Sequence, residues 1–205
     1  MSINPADAQD VYRDAGDNIM FTTYLINRDD LSGDREALAE FADRLAAIER
    51  SMVIRYPDAD LKVAFGIGAT AWRLLFPTAN RPKELVDFTG VTGPKYSAPA
   101  TPADLFLHVR AKTMAVVYEV LDQAREFLRD WTTVVDETPG FRYFEGRAII
   151  GFIDGTENPA GQDATQYALI GDEDPEFING SYAFSQKYTH NMDAWNGLHT
   201  EDQEK

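Results

Sequence analysis

Two carboxylates share the nine-residue stretch GFIDGTENP, residues 151–159: Asp154 follows Gly151, Phe152 and Ile153, and Glu157 follows Gly155 and Thr156. An aspartate at the edge of an apolar pocket can take up a proton and return it, which is general acid–base chemistry. The same letters also suit a tight turn. Asp and Asn bond nearby backbone N–H groups, Gly accepts positive φ, and Pro159 stops further extension. On the residues alone two readings stand: a reactive acid where a buried strand ends, or an Asx-turn.

Other chemistry is sparse. His108, His190 and His199 are the three histidines, and they form neither an HxxxH nor an HExxH pair. A zinc site of that kind is not expected, and each reads better as a half-buried or surface imidazole. There is no G-x-S-x-G elbow, and GIGATAW (66–72) lacks the lysine of a phosphate loop. The 205 residues contain no cysteine, which removes disulfides, thiolate nucleophiles and Cys-held zinc or iron–sulfur centres. A net charge of −15 opposes nonspecific binding to nucleic acid or anionic membranes. No apolar run has transmembrane length, and the N-terminus lacks a basic-then-apolar export signal, so the expected address is the cytoplasm.

The elements that must position these residues follow from periodicity. NIMFTTYLIN (18–27) is rich in β-branched and aromatic residues and reads as a strand. SGDREALAEFADRLAAIERSM (32–52) repeats Leu38, Phe41, Ala42, Leu45 and Ile48 at three- and four-residue steps, a helix with Ser32 or Asp34 as N-cap. LKVAFGIG (61–68) reads as a strand and ATAWRLLF (69–76) as a short helix. Residues 77–103 carry Pro77, Pro82, Pro94, Pro99 and Pro102, which rules out a continuous helix or central strand there. A strand (103–111), a helix (114–131) and a strand (132–138) complete β-α-β-β-α-β.

That order predicts an α+β, ferredoxin-like N-terminal domain over 1–140, two helices on one face of an antiparallel sheet. Residues 141–205 read as the incomplete first part of a second such domain. FRYFEGRAIIGFID (141–154) and GSYAFSQKYTHN (180–191) are strand-like, and MDAWNGLHTEDQEK (192–205) starts as a helix.

G-x-x-D-G-T-E-N-P resembles the signature of the dye-decolourising peroxidases. DLFLHVRA, VDETPGFRYFEGRAIIGFIDGTENP, GDEDPEFINGSYAFSQKYTHN and EDQE are similar to stretches of the compact, cytoplasmic-type (P/B) branch of that family, in the same order. The resemblance implies two ferredoxin-like domains of the dimeric α+β barrel superfamily, with haem b held mainly by the second. It implies a peroxidase that reduces hydrogen peroxide and oxidises dyes, phenols or other bulky organic reductants.

By its place in the motif, Asp154 matches the distal acid that moves a proton between the oxygens of hydrogen peroxide. Phe152 and Ile153 are expected near the porphyrin, with Gly155 leaving room for close approach and Thr156 and Glu157 completing the cofactor border. Glu157 is read either as a rim acid that helps bind a cation such as Mn(II), or as a solvated turn residue. Tyr182, Tyr188 and Trp195 are candidate relays for oxidising equivalents, with core packing the better reading of all three. The resemblance places the iron's proximal histidine and a distal arginine downstream of EDQE, beyond Lys205, and matches no histidine of this chain to the ligand. No metal ligand is therefore assigned. A homo-oligomer, and association with an encapsulin nanocompartment, are further implications. The competing expectation is a shortened, haem-free relative that acts as a binding or assembly protein.

Overall fold

The computed structural model describes residues 2–13 and 15–204. In chain order its regular elements are β1 (Asn18–Ile26), α1 (Leu31–Arg55), β2 (Lys62–Ile67), α2 (Ala69–Leu75), the two-residue strands β3 (Val91–Thr92) and β4 (Ser97–Ala98), β5 (Leu105–Ala111), α3 (Met114–Leu128), β6 (Thr132–Phe141), α4 (Gln162–Ala168), α5 (Met192–Asn196) and α6 (Thr200–Gln203). The main sheet runs β2-β5-β1-β6, with every pairing antiparallel. Each central strand thus pairs with an element distant in sequence, the ferredoxin-like order expected from β-α-β-β-α-β.

Alternation explains which face is covered. Met20, Thr22, Tyr24 and Ile26 of β1 are buried at every second position, as are Leu105, Leu107, Val109 and Ala111 of β5. These side chains share one face of the sheet. Onto it α1 lays Leu38, Phe41, Leu45, Ile48 and Met52, and α3 lays Val117, Val120, Leu121, Ala124 and Leu128. Phe41 also meets Phe65 of β2 edge-on, with ring centroids 5.2 Å apart. The α1 cap differs from expectation. Asp30, not Ser32 or Asp34, is the N-cap, and its Oδ1 accepts the Ser32 N–H at 3.1 Å. Asp34 is the residue buried beneath the first turn.

The opposite face carries His108, paired across from Phe21 and Ala64. Its ring stacks on Phe21 with centroids 4.4 Å apart, and Phe106 lies 6.2 Å away. Nε2 is buried and has no hydrogen-bond partner among the described residues. Burial, and secondarily the Arg110 guanidinium, lower the imidazole pKa to about 4. An unfolded histidine titrates near 6.5, so the unfolded chain takes up a proton that the folded one refuses. The stability tied to neutral His108 is complete above pH 6.5 and is lost as pH falls towards 4. Thermal melts of His108→Gln should therefore fall less steeply over that window than those of the parent chain.

The second half departs from expectation. The strand expected at 141–154 exists only as its first residue, at the end of β6, and two isolated bridges, Tyr143 with Arg147 and Arg147 with Ile153. The strand expected at 180–191 does not form, and Phe184 and Tyr188 on it are 88% and 69% exposed. Alternation sets which side chains share a face, but a strand also needs a neighbour's backbone to bond. Beyond Arg142, whose N–H donates to Asp17 O, the backbone of the first segment pairs only with itself, in turns and isolated bridges, and the second enters no ladder among the described residues.

Residues 162–182 are instead tied to the first unit by side chains. Asp174, buried, accepts the Lys83 N–H at 2.8 Å, and Asn80 donates to Glu176 at 2.6 Å. The Glu84 N–H donates to the Tyr182 hydroxyl at 3.1 Å, and Phe177 meets Trp72 edge-on at 5.8 Å.

Candidate functional site

The chain leaves β6 at Phe141 and immediately reverses. The N–H groups of Gly146 and Arg147 both donate to the Tyr143 carbonyl, at 3.1 and 2.9 Å. Phe144 and Gly146 take positive φ, 43° and 91°. A second reversal follows at once. The Gly151 N–H donates to Ala148 O and the Ala148 N–H to Phe152 O, both at 2.8 Å, with Gly151 at φ 97°. The backbone then returns past its own start, and the Asp154 N–H donates to Gly146 O at 3.0 Å. A third turn closes when the Asn158 N–H donates to Gly155 O at 3.0 Å, with Gly155 at φ 73°.

Glycine is required at 155 for two reasons. Its φ lies in the region that L side chains rarely adopt, and a Cβ there would stand 3.0 Å from Asn158 Nδ2. Gly155 thus does local turn work, as one of the two initial readings held.

Asp154 sits at the exposed tip of this fold-back. Its Oδ1 accepts the Gly155 N–H at 2.8 Å, and Oδ2 has no partner among the described residues. One oxygen is thus fixed and the other is open to a proton. The strand before Asp154 was expected to be buried, and it is not: Phe152 and Ile153 remain 44% and 56% exposed. The Phe152 ring meets Trp195 of α5 edge-on at 6.0 Å. Thr156 and Glu157 are exposed in the turn.

Two residues support this loop in a way the sequence reading did not give. Arg147 donates from Nη1 to Gly151 O at 2.7 Å and lies 3.5 Å from Glu145, so its guanidinium clamps the turn before Asp154. Trp195 donates its indole N–H to Ile150 O at 3.1 Å and is half-buried, while Gln203 of α6 donates to Trp195 O at 2.9 Å. A glycine at 151 flanked by an arginine four residues earlier is a weak signal for the first. For the second, Trp195 already stands in the sequence as a candidate relay or packing residue, and only its bond to Ile150 is unannounced.

The remaining expectations divide. Tyr182 is 39% exposed and Tyr188 is 69% exposed, so core packing does not describe them. His190 and His199 are exposed, and His108 lies on the sheet. Among the described residues no group of three or more His, Asp or Glu side chains is arranged to hold a metal ion. No helix among them is long and apolar enough to cross a membrane.

Residues 9–142 match the family description Dyp-type peroxidase, N-terminal, and residues 145–205 match Dyp-type peroxidase, C-terminal. The chain belongs to the Dyp-type peroxidase family. A dye-decolorizing peroxidase of Rhodococcus erythropolis is 42% identical over 172 residues, covering 84% of this chain and 50% of the relative. Among solved structures, a dye-decolorizing peroxidase from Bacteroides thetaiotaomicron superposes with a TM-score of 0.90 at 44% identity, over 97% of this chain and 64% of that one. A DypB variant from Rhodococcus jostii, solved in complex with heme, gives a TM-score of 0.90 at 37% identity, over 96% and 63%. The encapsulated DyP-type peroxidase from Mycobacterium smegmatis gives 0.84 at 35% identity, over 96% and 62%. The chain spans about half the length of the curated relatives it matches. Its mixed α+β architecture is that of the Dyp-type peroxidases, and both family segments meet in the fold-back that presents Asp154.

Proposed function

We propose that this chain is part of a haem-dependent peroxidase that reduces hydrogen peroxide and oxidises dyes, phenols or other bulky organic reductants, with haem b as its cofactor. The observation that carries the reading is the Asp154 loop of a Dyp-type peroxidase chain, held in shape by backbone bonds and the Arg147 clamp, with one carboxylate oxygen left open. We further propose a division into a ferredoxin-like unit over 1–140 and a haem-binding unit that begins at 141.

The residues present fit the border of such a group. Phe152 and Ile153 offer exposed apolar area beside the acid. Open space surrounds the Cα of Gly151, where no atom lies within 4 Å of a would-be Cβ, so a flat ligand could approach the backbone closely. Phe152, Ile153, Gly155, Thr156 and Glu157 would line the group, and Asp154 would face the peroxide. Haem, when bound, supplies the redox chemistry that breaks the O–O bond and draws electrons from the reductant. The part played by this chain is the proton: Asp154 Oδ2 takes it from one peroxide oxygen and delivers it to the other, which leaves as water. Glu157, exposed on the next turn, would hold a cation at the rim.

Cytoplasmic location, a homo-oligomeric state and housing in an encapsulin shell belong to the same proposal, the last supported by the encapsulated relative. No observation among the described residues favours the haem-free binding or assembly protein. The test is expression with haem supplied. For the whole protein of which this chain is part, a Soret band together with peroxide-dependent bleaching of an anthraquinone dye is the expected result, and colourless, inactive whole protein would sink the reading.

A further inference from the structure

Away from the Asp154 loop, a cleft of about 250 Å³ opens between α1 and the α3–β6 junction. Its apolar lining includes three rings. Phe41 is fully buried, Phe127 is about one-third exposed, and Trp131 is half-buried at the start of β6. Its polar lining is Glu40, Glu126 and Asp130, and no lysine or arginine is among the described residues that line it. Rings and carboxylates lining one cleft form a combination that favours a positively charged organic group.

The rings are also fixed in orientation. The Trp131 indole N–H donates to Phe127 O at 2.7 Å, which holds the indole against the last turn of α3 and uses its one N–H. One ring already has a cation over it, since the Arg44 guanidinium stands 5.6 Å from the Phe127 centroid. All three carboxylates have cationic neighbours: Arg44 stands 3.5 Å from Glu40, and Arg129 stands 3.0 Å from Glu126 and 3.8 Å from Asp130. These pairs are exposed, and exposed pairs of this kind contribute little, so they do not withdraw the carboxylates from a ligand. The net charge of −15 adds a long-range field that concentrates cations near the surface.

We propose that this cleft binds an organic cation, an alkyl- or arylammonium compound, with its methyl or aryl groups on the rings and its charge among Glu40, Glu126 and Asp130. The site lies wholly on the first unit and does not depend on the peroxidase reading.

Calorimetric titration of benzyltrimethylammonium into the 205-residue chain should give saturable 1:1 binding. Benzyl alcohol should bind at least about tenfold more weakly, and phenylacetate should give no heat. Combining Glu40→Gln, Glu126→Gln and Asp130→Asn, or making Trp131→Leu alone, should each weaken the cation by about tenfold. On the unaltered chain, amide shifts induced by the cation should fall on residues 37–44 and 126–131. Shifts elsewhere, equal affinity for the alcohol, or no saturation by an order of 10 mM would overturn the proposal.

Discussion

Replacing Asp154 by asparagine in the haem-loaded protein should lower the rate constant for its reaction with hydrogen peroxide by about 10²-fold or more, with no loss of haem. Asparagine can keep the one side-chain bond that shapes the tip, because its Oδ1 still accepts the Gly155 N–H. The backbone bonds from Asp154 to Gly146 and from Asn158 to Gly155 are untouched. What disappears is a group able to take a proton at the open position. The change therefore separates chemistry from architecture. Stopped-flow traces over a range of peroxide concentrations would measure it, with Soret absorbance per protein reporting retention. Glu157→Gln is the matched control, since it neutralises the other acid of the turn and should leave the peroxide step unaltered. A wild-type rate in Asp154→Asn removes this residue from the mechanism.

The same loop shows what was legible in the letters. The residues alone left an Asx-turn standing beside the reactive acid, and Asp154 was singled out because G-x-x-D-G-T-E-N-P resembles a family signature. Arg147 was not, because a guanidinium that bonds a carbonyl four residues on leaves no periodic trace. β1, β5 and α3 were readable for the opposite reason. Their buried residues recur every two or every three to four positions, which is the direct imprint of strand and helix geometry. The α1 cap was ambiguous because Asp29, Asp30, Ser32 and Asp34 fall within six residues and all can accept an N–H. Backbone position selects Asp30, and that choice depends on where β1 releases the chain. Residues 180–191 misled because alternation was present without a bonding partner. Trp195 was half readable: its packing was foreseen, but its bond to Ile150, which pins α5 under the Asp154 loop, spans 45 residues.

Asp104 tests whether the first unit is held at one point. It is 2% exposed at the entry to β5, and three segments converge on it. Its N–H donates to Tyr24 O and its carbonyl accepts the Gly68 N–H, both at 2.7 Å. Its Oδ2 accepts the Ile26 N–H at 2.9 Å, and the Arg28 guanidinium lies 2.8 Å from both carboxylate oxygens. The carboxylate thus ties the end of β1 to the start of β5, while the backbone carbonyl of the same residue holds the β2–α2 turn. Arg28 holds its place at φ 64°, a conformation unusual for a side-chain-bearing residue. Asp104→Ala leaves the Ile26 N–H buried without its acceptor and strips Arg28 of its partner, so we expect a loss of about 3–5 kcal/mol. Asp104→Asn should cost less, because an amide oxygen can still accept from Ile26. Arg28→Ala should cost nearly as much as Asp104→Ala, although Arg28 is 39% exposed on its own account. The reason is that it leaves a buried carboxylate with one N–H donor. Urea denaturation with an unchanged m-value would measure all three, and the double variant would give the coupling directly. A loss below about 1 kcal/mol in Asp104→Ala would place this pair with ordinary surface ion pairs and show that the sheet and helices hold the strand ends without it.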